Sequence, residues 1–243
     1  MPPILYLVRH GEGEHNVNDS HHLRDAHLTE TGKTQCRDLR DNFPYHDEVS
    51  LILASPLRRT IQTAAHSFQP VLEKRQVPFV LVPKAQEISK QPCDIGQDSD
   101  VLKAEIPGLI TPGAACFDQA NLDTSLLEDG WNSKKGIYAP TSAAVRKRAA
   151  ELRTWLWRLP HEHVVLVTHG AFLHYLTEDW TFYDRQRGTG YRNCEYRRFT
   201  FTEDSSSTEA HLLEVGGSSV KVDRPLGVDI HVLHEVEEVE AAK

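Results

Sequence analysis

The chain has 243 residues and a formal net charge of −8, with 35 acidic against 27 basic side chains. That length suits one large α/β domain with a buried core, and the acidic balance argues against nucleic acid or an anionic membrane as the main partner, so any anion site has to be a local basic pocket. Cys36, Cys93, Cys116 and Cys194 are scattered without a C-x-x-C pair, and no basic leader or membrane-length apolar run precedes the first strand; the expectation is a soluble cytoplasmic protein with neither a zinc site nor a disulfide framework.

Ile4 to Val8 is a short apolar run that ends abruptly in Arg9, His10 and Gly11. A buried strand looks like this when its carboxyl end delivers polar side chains to a site. An arginine can grip phosphate or carboxylate with a planar fork of donors, and a histidine beside it can serve as nucleophile, base or ligand. The stretch from Glu14 to His27 holds His15, His21, His22 and His27, but without helical spacing or a cysteine pattern it reads as a solvated loop rather than a metal site. Leu28-Thr29-Glu30-Thr31-Gly32 opens a helix capped by Thr29, with Gly32, Cys36, Leu39 and Phe43 on one face and Pro44 closing it. A second buried strand, Leu51 to Ala54, runs into Ser55-Pro56-Leu57-Arg58-Arg59-Thr60 and a helix whose apolar stripe is Leu57, Ile61, Ala64, Phe68 and Leu72. A third, Phe79 to Val82, leads to Glu87.

From Ser89 to Pro140 periodicity fades and Gly, Pro, Asp and Asn interrupt the chain, the pattern of a lid or insertion. Thr141 or Ser142 then caps a helix that buries Val145, Ala149, Leu152, Leu156 and Leu159. A fourth strand, Val164 to Val167, ends in Thr168-His169-Gly170 and a helix from Ala171 to Trp180. Two shorter strands follow, Glu195 to Thr202 and His211 to Val215. This alternation predicts a three-layer α/β/α sandwich with a mostly parallel central sheet, in one domain over 1–234 with the insertion at about 89–140. Residues 235–243 read as a frayed acidic tail.

In an open α/β sheet ligands collect beyond the carboxyl ends of the strands, where Arg9, His10, Arg59, Glu87 and His169 would all be carried. Two arginines, two histidines and one carboxylate suit phosphoryl transfer, in which charge is stabilised on nonbridging oxygens and the leaving oxygen needs a proton. These motifs, Arg9-His10-Gly11-Glu12 with Asn16, Leu28 to Gly32, Ser55 to Ala64 and Thr168-His169-Gly170, resemble the histidine phosphatase superfamily from Ile4 to about Leu176. The resemblance implies that His10 is phosphorylated and then discharged, that Arg9, Arg59 and His169 hold the phosphoryl group, and that Asn16 donates to a phosphate oxygen. It further implies that Gly170 and Glu12 belong to the substrate-binding set, Glu12 as an orienting group, that Glu87 is the proton donor, and that no metal or cofactor is needed. Arg58, by contrast, is expected to face solvent or a partner.

The resemblance leaves three readings open. Mutases of the family carry Arg-His-Tyr-Gly after the acid, whereas Glu87 is followed by Ile88-Ser89-Lys90-Gln91, and in the first motif Gly13 and His15 also depart from the mutase pattern. Together with Asn193-Cys194-Glu195-Tyr196-Arg197, this is similar to the mutase-like phosphatases of yeasts and filamentous fungi. The favoured function is hydrolysis of a small phosphomonoester; phosphoglycerate mutase-type transfer and a non-catalytic phosphate-binding module are the alternatives. Specificity is expected in Ser89 to Pro140 and Arg185 to Arg197, with Trp131 or Tyr138 at the pocket mouth and Tyr191 and Arg192 as further candidates. The sequence leaves the oligomeric state open.

Overall fold

The computed structural model of the chain describes residues 1–180, 190–216 and 229–242. Among these residues seven strands form one sheet: β1 (Ile4–Arg9), β2 (Leu51–Ala54), β3 (Phe79–Leu81), β4 (Leu122–Asp123), β5 (His163–Thr168), β6 (Tyr196–Phe201) and β7 (Leu212–Glu214). Their order is β4-β3-β2-β5-β1-β6-β7. The first five run parallel; β6 pairs antiparallel with β1, and β7 antiparallel with β6. The all-apolar runs at β1, β2 and β5 are buried on both faces, as central parallel strands require.

Alternation along the strands sorts the core into two layers. Tyr6, Val8, Ile52, Ala54 and Val165 pack with α1 (Glu30–Asn42), α2 (Arg58–Ser67) and α3 (Ser99–Ile110). Leu5, Leu7, Leu53, Val164 and Leu166 pack with α4 (Ser142–Trp157), α5 (Gly170–Thr177) and α6 (Ile230–Ala241). The three-layer sandwich with a mostly parallel sheet is therefore present, and the helix starts follow their capping chemistry. Thr29 accepts from the Gly32 amide at 3.0 Å, and Thr141 caps α4.

Two stretches differ from expectation. The span from Ser89 to Pro140 contains α3, with Leu102, Ile106, Leu109 and Ile110 buried; Pro107 and Gly108 inside it break the sequence pattern that would have revealed it. The acidic end is not a frayed tail. Glu235 to Ala241 is the second half of α6, because Val232, Val236 and Val239 recur at helical spacing between the glutamates and bury against the α5 side of the core. Position 234 thus falls inside a helix and marks no boundary. Among the described residues no helix is long and apolar enough to cross a membrane.

Candidate active site

Parallel pairing brings three strand ends level. Arg9 stands opposite Thr168, and Ala54 opposite Val167. The ladder then continues into the loops, where the His10 amide donates to Thr168 O at 3.0 Å and the Ser55 amide to Val167 O at 3.0 Å. His10, Ser55 and His169 are thereby set side by side, with the rings of His10 and His169 5.2 Å apart. Gly11 closes the turn behind them: a Cβ there would lie 2.9 Å from Gly32 O and 3.2 Å from the sulfurs of both Cys36 and Cys194.

His10 is buried, and its Nδ1 lies 2.7 Å from Gly11 O. A carbonyl can only accept, so Nδ1 carries the proton and Nε2 keeps its lone pair. Burial, then the charges of Arg59 and Arg9, hold the ring well below the ordinary histidine pKa, so it stays neutral. His169 is also buried and lowered, first by burial and then by Arg59. Its Nδ1 accepts from Arg59 at 3.1 Å, which leaves Nε2 to donate to Ser55 Oγ at 2.8 Å.

The two arginines are the cations of the pocket, and each holds a carboxylate of the chain itself. Arg59, at the first turn of α2, donates to Cys93 O at 2.7 Å and to Asp94 Oδ1 at 2.8 Å. Arg9 donates to Tyr191 O at 2.8 Å and pairs with Asp229 just before α6. Among the described residues, the Nε groups of both arginines are buried without a hydrogen-bond partner. Unsatisfied donors on two buried guanidinium groups beside a neutral histidine are what an incoming oxyanion would complete.

Glu87 lies at the start of α5. Its carboxylate accepts from the amides of Ala171 at 3.2 Å and Phe172 at 2.9 Å, just past His169, and from its neighbour Ile88 at 3.0 Å. Burial, and then the charge of Asp94, raise its pKa to about 7 against the lowering pull of Arg59. Its main-chain carbonyl is held from the far side by Lys134 Nζ at 3.0 Å, while Arg148 donates to Gln86 O at 2.5 Å. Gly170 opens α5 between His169 and the amides that hold Glu87. Asn16 accepts from the Gly13 amide at 2.9 Å and donates to Asp229 at 3.4 Å. Glu12 turns away to accept from Thr29 Oγ1 at 2.6 Å, binding the loop to the cap of α1.

Several residues at the site were not singled out in the sequence. His15 is buried with its ring 5.5 Å from that of His10, so the histidine-rich stretch is only partly a solvated loop. Asp94 accepts from Ser89 at 2.5 Å as well as from Arg59; burial opposes its ionisation, but Arg59 holds it below the usual carboxylate range. Glu235 of α6 lies buried beside it, raised well above that range by burial and then by the charge of Asp94. Among the described residues, His21, Cys93 and His231 bring donor atoms within 4.8 Å of one another, as do Asp94, His231 and Glu235. These side chains could approach a cation, although Asp94 is already engaged by Arg59. The pairing of Asp94 with Arg59 spans 35 positions, and that of Cys93 with His231 spans 138, beyond the reach of any spacing rule.

Three expectations are corrected. Arg58 does not face solvent freely but pairs with Glu105 of α3 at 2.6 Å. Trp131 is a core residue, 1 % exposed, its ring laid against Gly96 where any side chain would collide. Tyr138 lines a surface pocket with Lys84, Leu126 and Trp155, apart from the histidines. Of the expected specificity region, Tyr191 is buried and supplies the carbonyl that anchors Arg9, while Arg185 lies outside the described residues.

The fold, with two histidines paired beyond the carboxyl ends of its central strands, is that of a histidine phosphatase-like protein. The model for the histidine phosphatase superfamily (branch 1) matches residues 5–212, and the chain belongs to that family. It is 26% identical over 170 residues to a probable phosphatase of Schizosaccharomyces pombe, covering 69% of this chain and 74% of that protein. It is 27% identical over 206 residues to a phosphoglycerate mutase-like protein of Arabidopsis thaliana, covering 70% and 72% of the two chains. Among solved structures it is similar to Bacillus stearothermophilus YhfR, with TM-score 0.52, 20% identity, and 88% and 96% of the chains covered. It is likewise similar to the phosphoserine phosphatase of Entamoeba histolytica, with TM-score 0.50, 19% identity, and 95% and 99% covered. Both likenesses are ones of fold.

Proposed function

We propose that the chain hydrolyses a small-molecule phosphomonoester through a phosphohistidine on His10, with Glu87 as proton donor. The observation that carries this reading is the Nδ1 hydrogen bond of His10 to Gly11 O, which leaves the Nε2 lone pair of a neutral ring beside the charges of Arg59 and Arg9. Nε2 attacks phosphorus while Arg9, Arg59, His169 and Asn16 hold the nonbridging oxygens; the ester bond breaks and the departing oxygen takes the proton of Glu87. Glu87, now ionised, takes a proton from water, and the resulting hydroxide displaces His10 from phosphorus. The products are an alcohol and inorganic phosphate, and both catalytic groups are regenerated. Gly170 and Glu12 position the loops around this group. A pKa near 7 suits a carboxyl that must give a proton and then accept one.

Hydrolysis is favoured over mutase-type transfer by the segment after Glu87. Ile88 is buried, Ser89 is committed to Asp94, and Lys90 is exposed, so this stretch supplies no cation to grip a phosphoglycerate carboxylate. The test is release of phosphate from p-nitrophenyl phosphate and a panel of small alkyl phosphates, comparing the wild type with His10→Ala. Rapid quenching with mass spectrometry would look for one phosphoryl group on the His10 peptide. Turnover dependent on His10 is expected; equal release by both proteins would overturn the assignment, and cofactor-dependent phosphoglycerate interconversion would replace hydrolysis with transfer.

A further inference from the structure

Cys36 of α1 and Cys194, just before β6, hold their sulfurs 3.5 Å apart although 158 positions separate them. No disulfide joins them, yet both touch the nucleophile loop: each sulfur lies 3.2 Å from where a Cβ on Gly11 would stand. Cys194 has the left-handed φ of +57° and points its amide at the carbonyls of Arg9 at 3.0 Å and His10 at 3.3 Å. Its neighbour Asn193 donates to His10 O at 3.0 Å. The pair is reachable from one side, because Cys194 lines a cleft of about 440 Å³ with Gln35, Asp38, Arg192 and Asn193, whereas Cys36 is fully buried behind it. Hydrogen bonding from Cys194 lowers the Cys36 pKa against the effect of burial, favouring a thiolate within the pair.

We propose that Cys36 and Cys194 are a redox site at which a hydroperoxide forms a reversible disulfide that pulls on the His10 loop. One thiolate attacks the peroxide, breaking the O–O bond and leaving a sulfenic acid and an alcohol or water. The second sulfur displaces water from that sulfenic acid and forms the S–S bond. Two thiols and one hydroperoxide thus give one disulfide, one alcohol (or water) and one water. Closing 3.5 Å to the roughly 2.05 Å of a disulfide draws the 193–195 turn towards α1. That turn holds the main chain of Arg9 and His10, so the displacement is passed to the nucleophile.

The experiment treats the full-length chain with hydrogen peroxide, maps peptides without reduction, and follows p-nitrophenyl phosphate turnover. A Cys36–Cys194 linked peptide is expected, with a roughly ten- to hundred-fold loss of turnover that dithiothreitol restores. Cys36→Ser and Cys36→Ala should keep the untreated rate and resist peroxide. No linked peptide, a linked protein whose turnover matches that of its active reduced form, or variants as sensitive to peroxide as the wild type would overturn the proposal. The activity arm rests on the hydrolase reading and the peptide arm does not, so a chain that forms the linked peptide but turns over no phosphate ester even when reduced supports the disulfide while overturning hydrolysis.

Discussion

At the scale of single residues the site separates two protonation tasks by environment. His10 is kept neutral by burial and flanking arginines, while Glu87 is kept protonated near neutrality by burial and the charge of Asp94. In the proposed mechanism Glu87 acts in its acid form in the first step, so kcat/KM for an alkyl phosphate should fall as pH rises past about 7. Glu87→Gln should remove that descending limb and cost about 10²–10⁴-fold with alkyl phosphates, but far less with p-nitrophenyl phosphate, whose leaving group needs no proton. Equal losses on the two substrates would reassign the proton donor. Arg9, His10, Arg59 and His169, the residues proposed to hold and attack the phosphoryl group, are legible in the sequence because each ends or follows a strand or begins a helix. Asp94 and His15 are not, since their roles come from contacts with Arg59 and His10 that only tertiary folding creates.

At the scale of elements the nucleophile loop depends on α1. A Cβ at Gly32 would come within 2.1 Å of Glu12 O, a backbone atom that cannot yield without moving the loop carrying His10. Gly32→Ala, ordinarily favourable inside a helix, should therefore destabilise the protein by about 1–3 kcal/mol in chemical denaturation and lower turnover in parallel. A stability gain would show that loop and helix part easily. The elements themselves were readable wherever apolar spacing was regular. β1, β2, β5, α1, α2 and α4 follow from period and capping residues, while α3 is hidden by Pro107 and Gly108 and α6 by its density of glutamates.

At the scale of the whole molecule, an acidic protein must present phosphate with a cationic pocket, and the chain closes that pocket with its own carboxylates. Arg59 meets Asp94 from 35 positions away, and Arg9 meets Asp229 from 220. Asp94 is tied in by Ser89 and stays, but Asp229 sits at the edge of α6 and shares Arg9 with the anion that Arg9 is proposed to bind. A substrate phosphate then has to displace Asp229, and apparent affinity scales with the fraction of time the carboxylate leaves Arg9 free. Asp229→Asn keeps the side-chain oxygen that caps α6 by accepting from the His231 amide, while removing the charge. The expected result is an unchanged kcat with KM lowered roughly five-fold, equivalent to ~1 kcal/mol of lost competition, and a matching fall in the inhibition constant of inorganic phosphate. Unchanged constants for both would mean that Asp229 leaves Arg9 without cost in solution, and a fall in kcat would make the carboxylate part of the catalytic arrangement instead of a competitor for it.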